Sequence, residues 1–166
     1  MKVNIALLTV TDTRTFDNDK SGSILVEKIK NANHNLIDRK ICKDNKDEIV
    51  LILREWLKNE NIDTIITTGG TGLTGRDITP EALEEVADKH IPGFGEVFRN
   101  ISLKTVGTSA IQSRACAVLS NGKYVFALPG SSGGVTDAWE GILKHQLDIN
   151  HKPCNFVELF PRLKEK

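Results

Sequence analysis

Short apolar runs alternate along this chain with longer stretches whose apolar residues recur at helical spacing. Lys2 to Val10, Leu36 to Cys42, Thr64 to Thr68 and Tyr124 to Leu128 are runs of strand length. Between them, Gly22 to Asn31 carries Ile24, Leu25 and Ile29 at helical spacing, and Asn45 to Leu57 sets Ile49, Val50, Ile52, Leu53, Trp56 and Leu57 along one face. Asn45 can cap that helix, with Glu48 three residues on. A third helix is predicted from Thr79 through Lys89, with Thr79 as cap, Pro80 at the first helical position and Glu81 complementing the helix N-terminus. A short helix follows His90-Ile91-Pro92-Gly93, with Phe94, Val97, Phe98 and Ile101 on one side, and Val135 to Leu147 predicts the last helix. Near-continuous apolar strands separated by amphipathic helices belong to a parallel sheet covered on both faces. The expected fold class is therefore α/β, a three-layer sandwich with a mostly parallel sheet flanked by helices. At 166 residues the chain is expected to be one domain, residues 1–166.

Charge narrows the partners. Lysine plus arginine equals aspartate plus glutamate at 22 each, which argues against affinity gained by neutralising a nucleic-acid backbone or an anionic membrane. Any anion site must be local. The apolar start from Met1 to Val10 is too short to span a bilayer and has no secretory cleavage pattern, so it reads as a first strand. Cys42, Cys116 and Cys154 are odd in number and far apart, and indicate neither a disulfide framework nor a zinc site. A cytoplasmic location is the expectation. His34, His90, His145 and His151 are scattered and form no evident base or metal set.

Two glycine- and hydroxyl-rich turns follow strands and precede helices, the setting in which phosphate is held. The first, Gly69-Gly70-Thr71-Gly72-Leu73-Thr74, lets consecutive backbone N–H groups turn inward; Thr71 and Thr74 add hydroxyls, and Arg76 adds a fixed positive fork. It is neither a Walker A loop, lacking the lysine after its last glycine, nor a dinucleotide turn, since no helix begins before Thr79. The second is Gly130-Ser131-Ser132. Both belong at the carboxyl edge of one sheet, where they can share a pocket. Asp77 has two readings: a loop acid capping its own turn, or a carboxylate that tolerates a neighbouring phosphate because a divalent cation sits between them. Asp44 also has two, since it is free only if Asn45 caps the helix. Arg114, after Gln112-Ser113, is either a surface ion-pair partner or a phosphate contact.

The string from Thr68 to Ala82, taken with Pro129-Gly130-Ser131, closely resembles the MoaB/MogA family of molybdenum-cofactor biosynthesis, to which the gephyrin G domain is related. Ser21-Gly22, Gly93 to Arg99, Gly107-Thr108-Ser109, Gln112-Ser113-Arg114 and Pro153 to Phe156 look like the protein B branch. The resemblance covers essentially the whole chain and implies a molybdopterin-binding-domain fold. It implies a magnesium-dependent molybdopterin adenylyltransferase, with ATP as co-substrate and Mg2+ as cofactor. Asp77 and Asp44 would be catalytic and hold the metal. Gly69, Gly70, Thr71, Gly72, Thr74, Arg76, Ser113, Arg114, Gly130, Ser131 and Ser132 would bind substrate and phosphate. A non-catalytic pterin-binding or assembly-partner protein of the same fold is the alternative. The family also implies a homotrimer or hexamer and a molybdenum insertase as a possible partner. The chain departs from it at Lys43, where proline is usual, and at Ser132-Gly133-Gly134, where lysine is common.

Overall fold

The computed structural model describes residues 1–165. Six strands form one sheet in the order β2-β1-β3-β6-β5-β4. Strands β1 (Asn4–Val10), β2 (Asn35–Cys42), β3 (Thr64–Thr68) and β6 (Lys123–Leu128) run parallel. β5 (Cys116–Ser120) is antiparallel to β6, and β4 (Lys89–His90) is antiparallel to β5. The mostly parallel sheet agrees with the α/β expectation.

The period-two alternation of strands splits the core in two. Val3, Ile5, Leu7, Ile66, Tyr124, Phe126 and Leu128 face one layer, and Ala6, Leu8, Val10, Ile65, Val125 and Ala127 face the other. The first layer receives Leu25 and Ile29 of α1 (Lys20–Asn31), Phe94 and Phe98 of α4 (Pro92–Val106), and Val135 and Ala138 of α5 (Ser132–Ala138). The second receives Ile49, Leu53 and Trp56 of α2 (Lys46–Lys58) and Ala82 and Leu83 of α3 (Thr79–Val86). α5 continues as a π-helical turn, Trp139–Leu143, and ends in α6 (Lys144–Gln146).

Three expectations change. The helix from Thr79 stops at Val86, because Lys89 and His90 pair with Leu119 and Val118 as β4. The helix after Pro92 is not short but fifteen residues long. The four apolar residues expected on one side of it do not share one environment: Phe94 and Phe98 lie in the core and Ile101 packs on Gly141, whereas Val97 is exposed, as are Leu103, Val106 and Ile111.

Both sheet edges are guarded. β4 is two residues long, and β2 carries Asp38, Arg39 and Lys40 in succession. Arg39 pairs with Asp19 at 3.0 Å, Lys40 with Glu55 at 2.9 Å, and Asp38 accepts the Trp56 indole N–H at 2.9 Å.

Candidate functional site

Strand order reverses between β1 and β3, since β2 lies to one side of β1 and β3 to the other. Ligands of open α/β sheets bind beyond the carboxyl ends of strands at such a switch point. Here the loops leaving β1, β2, β3 and β6 surround a polar cleft of about 370 Å³.

Its floor is the glycine turn after β3. Gly69 has φ of +101°, and a Cβ there would lie 2.1 Å from the Val10 carbonyl oxygen. Gly70 has φ of +69°, and its Cβ would lie 2.3 Å from the Thr79 hydroxyl. Only glycine allows this backbone to pass between β1 and the start of α3. The Gly69 N–H donates to Leu128 O at 3.0 Å, and the Thr68 hydroxyl donates to Pro129 O at 2.7 Å. These bonds stitch the two turns together on one edge of the sheet, as expected. In the second turn the Ser131 hydroxyl caps α5, accepting from the Gly134 N–H at 3.1 Å. Thr79 does not cap α3; its hydroxyl donates to Gly69 O at 2.8 Å and fastens the helix to the cradle.

Beyond Gly70 the loop folds on itself. Asp77 Oδ2 accepts from the Thr74 N–H at 2.9 Å and the Thr74 hydroxyl at 2.7 Å. Burial favours the neutral acid, but these bonds, one from the Gly72 N–H and the Arg114 charge hold the Asp77 carboxyl below its ordinary range. Gly72 is not at positive φ; its want of a Cβ makes room for the Asp77 carboxylate, 2.8 Å from where that atom would be. Arg114 clamps the loop from outside, donating to Gly72 O and Asp77 O at 2.7 Å each and pairing with Glu81. Arg76 turns toward the β1 loop and makes a two-pronged ion pair with Asp12, at 3.0 and 2.9 Å.

Asp44 is differently placed. Asn45 caps α2, accepting from the Glu48 N–H at 3.1 Å, so the Asp44 carboxylate has no capping duty. Its Oδ1 lies 3.2 Å from where a Gly70 Cβ would stand, over the cradle. Burial, then the charge of Asp12, raises the Asp44 pKa; Asp77 adds to the effect and Arg76 offsets part of it. Nearby, Asp19 is buried and caps α1, accepting from the Gly22 N–H at 3.0 Å, the Thr9 hydroxyl at 2.7 Å and Arg39 at 3.0 Å. Burial would raise its pKa, yet those bonds hold it below the ordinary value.

Of the residues singled out in the sequence, Gly69, Gly70, Asp44, Asp77, Gly130, Ser131 and Ser132 line this cleft. Thr71, Gly72, Thr74, Arg76 and Arg114 build the loop behind it. Ser113 lies in a neighbouring depression with Ser131, and its hydroxyl accepts from the Ala115 N–H at 3.3 Å. Sequence reasoning missed the β1 loop: Thr9, Thr11, Arg14, Asp19 and Lys20 also line the cleft. The available signal was the position of Thr11 to Arg14 directly after a parallel strand, on the same edge as the glycine turns. Among the described residues no group of three His, Cys, Asp or Glu side chains is placed to hold a metal alone. A magnesium ion that keeps several waters and takes ligand phosphates needs only one or two carboxylates, which Asp44 and Asp77 fit.

Comparison with known proteins identifies relatives. Residues 6–149 match the family model described as "Probable molybdopterin binding domain". Molybdenum cofactor biosynthesis protein B of Escherichia coli (strain K12) is 42% identical over 161 residues, covering 97% of this chain and 93% of that protein. A crystal structure of a molybdenum cofactor biosynthesis protein B superposes with a TM-score of 0.89 at 37% identity, covering 100% of this chain and 98% of the other. That of the tungsten cofactor synthesizing protein MoaB from Pyrococcus furiosus gives 0.76 at 36% identity, over 84% and 89% of the two chains.

Proposed function

The chain belongs to the molybdopterin-binding domain family of molybdenum cofactor biosynthesis, and from that premise we propose that it binds molybdopterin and transfers adenylate from Mg-ATP to its terminal phosphate. In this reaction a terminal phosphate oxygen of the pterin attacks the α-phosphorus of ATP, the bond to the β-phosphate oxygen breaks, and pyrophosphate leaves. The nucleophile comes from the substrate, so the protein supplies placement and charge.

The observation that carries this reading is the position of Asp44 over the Gly69–Gly70 cradle, with no cap to serve and Asp77 close enough to raise its pKa. A carboxylate held there repels a bare phosphate and suits one that arrives with a cation. Magnesium, when bound, would offset phosphate charge between Asp44 and Asp77. The rigid turn formed by Gly69, Gly70 and Thr79 presents backbone to the phosphate, and the Gly130-Ser131-Ser132 turn bounds the opposite side.

One observation favours the second reading, a pterin-binding or assembly protein without catalysis. Asp77 Oδ2 already holds Thr74, so the loop acid has a structural task. Purified protein incubated with molybdopterin, α-labelled ATP and magnesium separates the two. Label transferred to the pterin supports the transferase, and its absence with loaded substrate supports the binding protein. The family resemblance further supports a homotrimer or hexamer and delivery of product to a molybdenum insertase. Val97, Leu103, Val106 and Ile111 are exposed apolar residues available for association. Among the described residues no helix is long and apolar enough to cross a membrane.

A further inference from the structure

The two arginines that the sequence offers as phosphate contacts are both engaged by carboxylates. Arg76 is held by Asp12, and Arg114 by Glu81 and the loop carbonyls. We propose that Arg14 and Lys20 carry the positive charge that binds the phosphate groups of the substrate in this cleft.

Both line the cleft and both are exposed. Among the described residues neither has a carboxylate within ion-pair distance, whereas the cleft's third basic neighbour, Arg39, is tied to Asp19. Their backbones are fixed. The Thr11 hydroxyl accepts from the Thr13 and Arg14 N–H groups at 3.3 and 3.2 Å, which sets the turn that carries Arg14. Lys20 is the first residue of α1, directly after its Asp19 cap.

That position is unfavourable for a lysine by itself. A helix N-terminus is the positive end of the peptide dipole, and the first turn of α1 holds no acidic residue. An anion in the cleft reverses the sign of this interaction, because the dipole, Lys20 and Arg14 then act on it together. The cleft is therefore two-sided in charge. Asp44 and Asp77, at the loops after β2 and β3, face a cation, and Arg14 and Lys20, on the loop and helix after β1, face phosphate oxygens. Arg76 and Arg114 then shape the glycine loop without touching the anion.

The assignment rests on the reading of the cleft as a phosphate site, and binding of inorganic pyrophosphate tests it without any turnover. Titration calorimetry at low salt compares wild type with Arg14→Gln, Lys20→Gln and, away from the cleft, Lys104→Gln on α4, each checked for an unchanged melting profile. Loss of a charge-assisted contact weakens pyrophosphate binding about tenfold for Arg14→Gln and for Lys20→Gln, while Lys104→Gln stays within about twofold. Added salt weakens wild-type binding more than that of a protein carrying both Arg14→Gln and Lys20→Gln. Pyrophosphate that binds wild type and both single variants equally overturns the assignment and leaves the cleft reading standing. A wild-type protein that binds no pyrophosphate or ATP overturns both. Binding with the expected losses, but no transfer of label to molybdopterin, upholds the assignment and removes only the transferase.

Discussion

Asp44→Asn changes one charge over the glycine cradle while disturbing little else. The side chain keeps its size and an acceptor oxygen for the Asp12 N–H, and α2 keeps its Asn45 cap. If Asp44 holds a magnesium ion, losing one preorganised electrostatic contact lowers turnover by about 10²–10³, equivalent to about 2.7–4 kcal/mol. The deficit shrinks as magnesium is raised, because the metal site is weakened rather than removed. Without metal the effect has the opposite sign. A phosphate charge about 5 Å from an ionised carboxylate is repelled by about 3 kcal/mol at an effective dielectric of 20, and the partial exposure of Asp44 reduces this to about 1 kcal/mol. Metal-free pyrophosphate therefore binds the variant about fivefold more tightly.

Stability supplies a third readout. Burial and the charge of Asp12 raise the folded-state pKa of Asp44 above its ordinary 3.8, so the native state holds more protons than the unfolded state as pH climbs past that value. Ionised Asp44 thus costs folding stability, absent below the unfolded pKa and fully present above the raised folded one. At pH 7 the Asn variant melts at or above wild type, and the two converge in acid. A variant with wild-type turnover, unchanged magnesium dependence and unchanged metal-free pyrophosphate affinity would refute the metal role of Asp44.

Gly69→Ala places a Cβ against the Val10 carbonyl at a φ of +101°, and urea unfolding is expected to show a loss of about 3–5 kcal/mol from strain and overpacking. Gly93→Ala in α4, where nothing lies within 4 Å, raises stability by about 0.5 kcal/mol in the same assay. Arg114→Lys loses the planar fork that reaches Gly72 O and Asp77 O, costing about 1.5–3 kcal/mol and exposing residues 71–77 to limited proteolysis. Burial pushes the Cys42 and Cys116 thiols up to about 12 and about 11, so iodoacetamide at pH 8, followed by intact mass, labels the exposed Cys154 first.

The strands β1, β2, β3 and β6 were legible because each is a short apolar run in a chain of helical-period segments, and α2 was legible down to its Asn45 cap. β5 was not. Its Cys-Ala-Val-Leu-Ser run holds one β-branched residue, and the signal lay in Asn121-Gly122, whose φ values of 47° and 71° form the tight hairpin into β6. Thr79 reads as a cap by its place before Pro80, but tertiary contact with Gly69 O claims its hydroxyl. In the candidate site, glycine content and the edge rule locate the cleft floor, since both follow from local backbone demands. Which cations are left for a ligand depends on pairs such as Arg76 with Asp12, 64 positions apart, and Arg114 with Glu81, 33 apart. No local pattern encodes those pairings, so the residues with the most conspicuous charge next to the loop were the ones already engaged.

The succession Asp38-Arg39-Lys40 on β2 has a bearing on how copies of this chain can meet. An outer strand of a parallel sheet offers a row of open amides to any neighbour, and continuous sheets and fibrils grow from such rows. Here three adjacent charges occupy that row, and the opposite margin is a two-residue strand too brief to template another. Both margins thus disfavour growth by strand addition, and the sheet ends with this chain rather than inviting a neighbour to extend it.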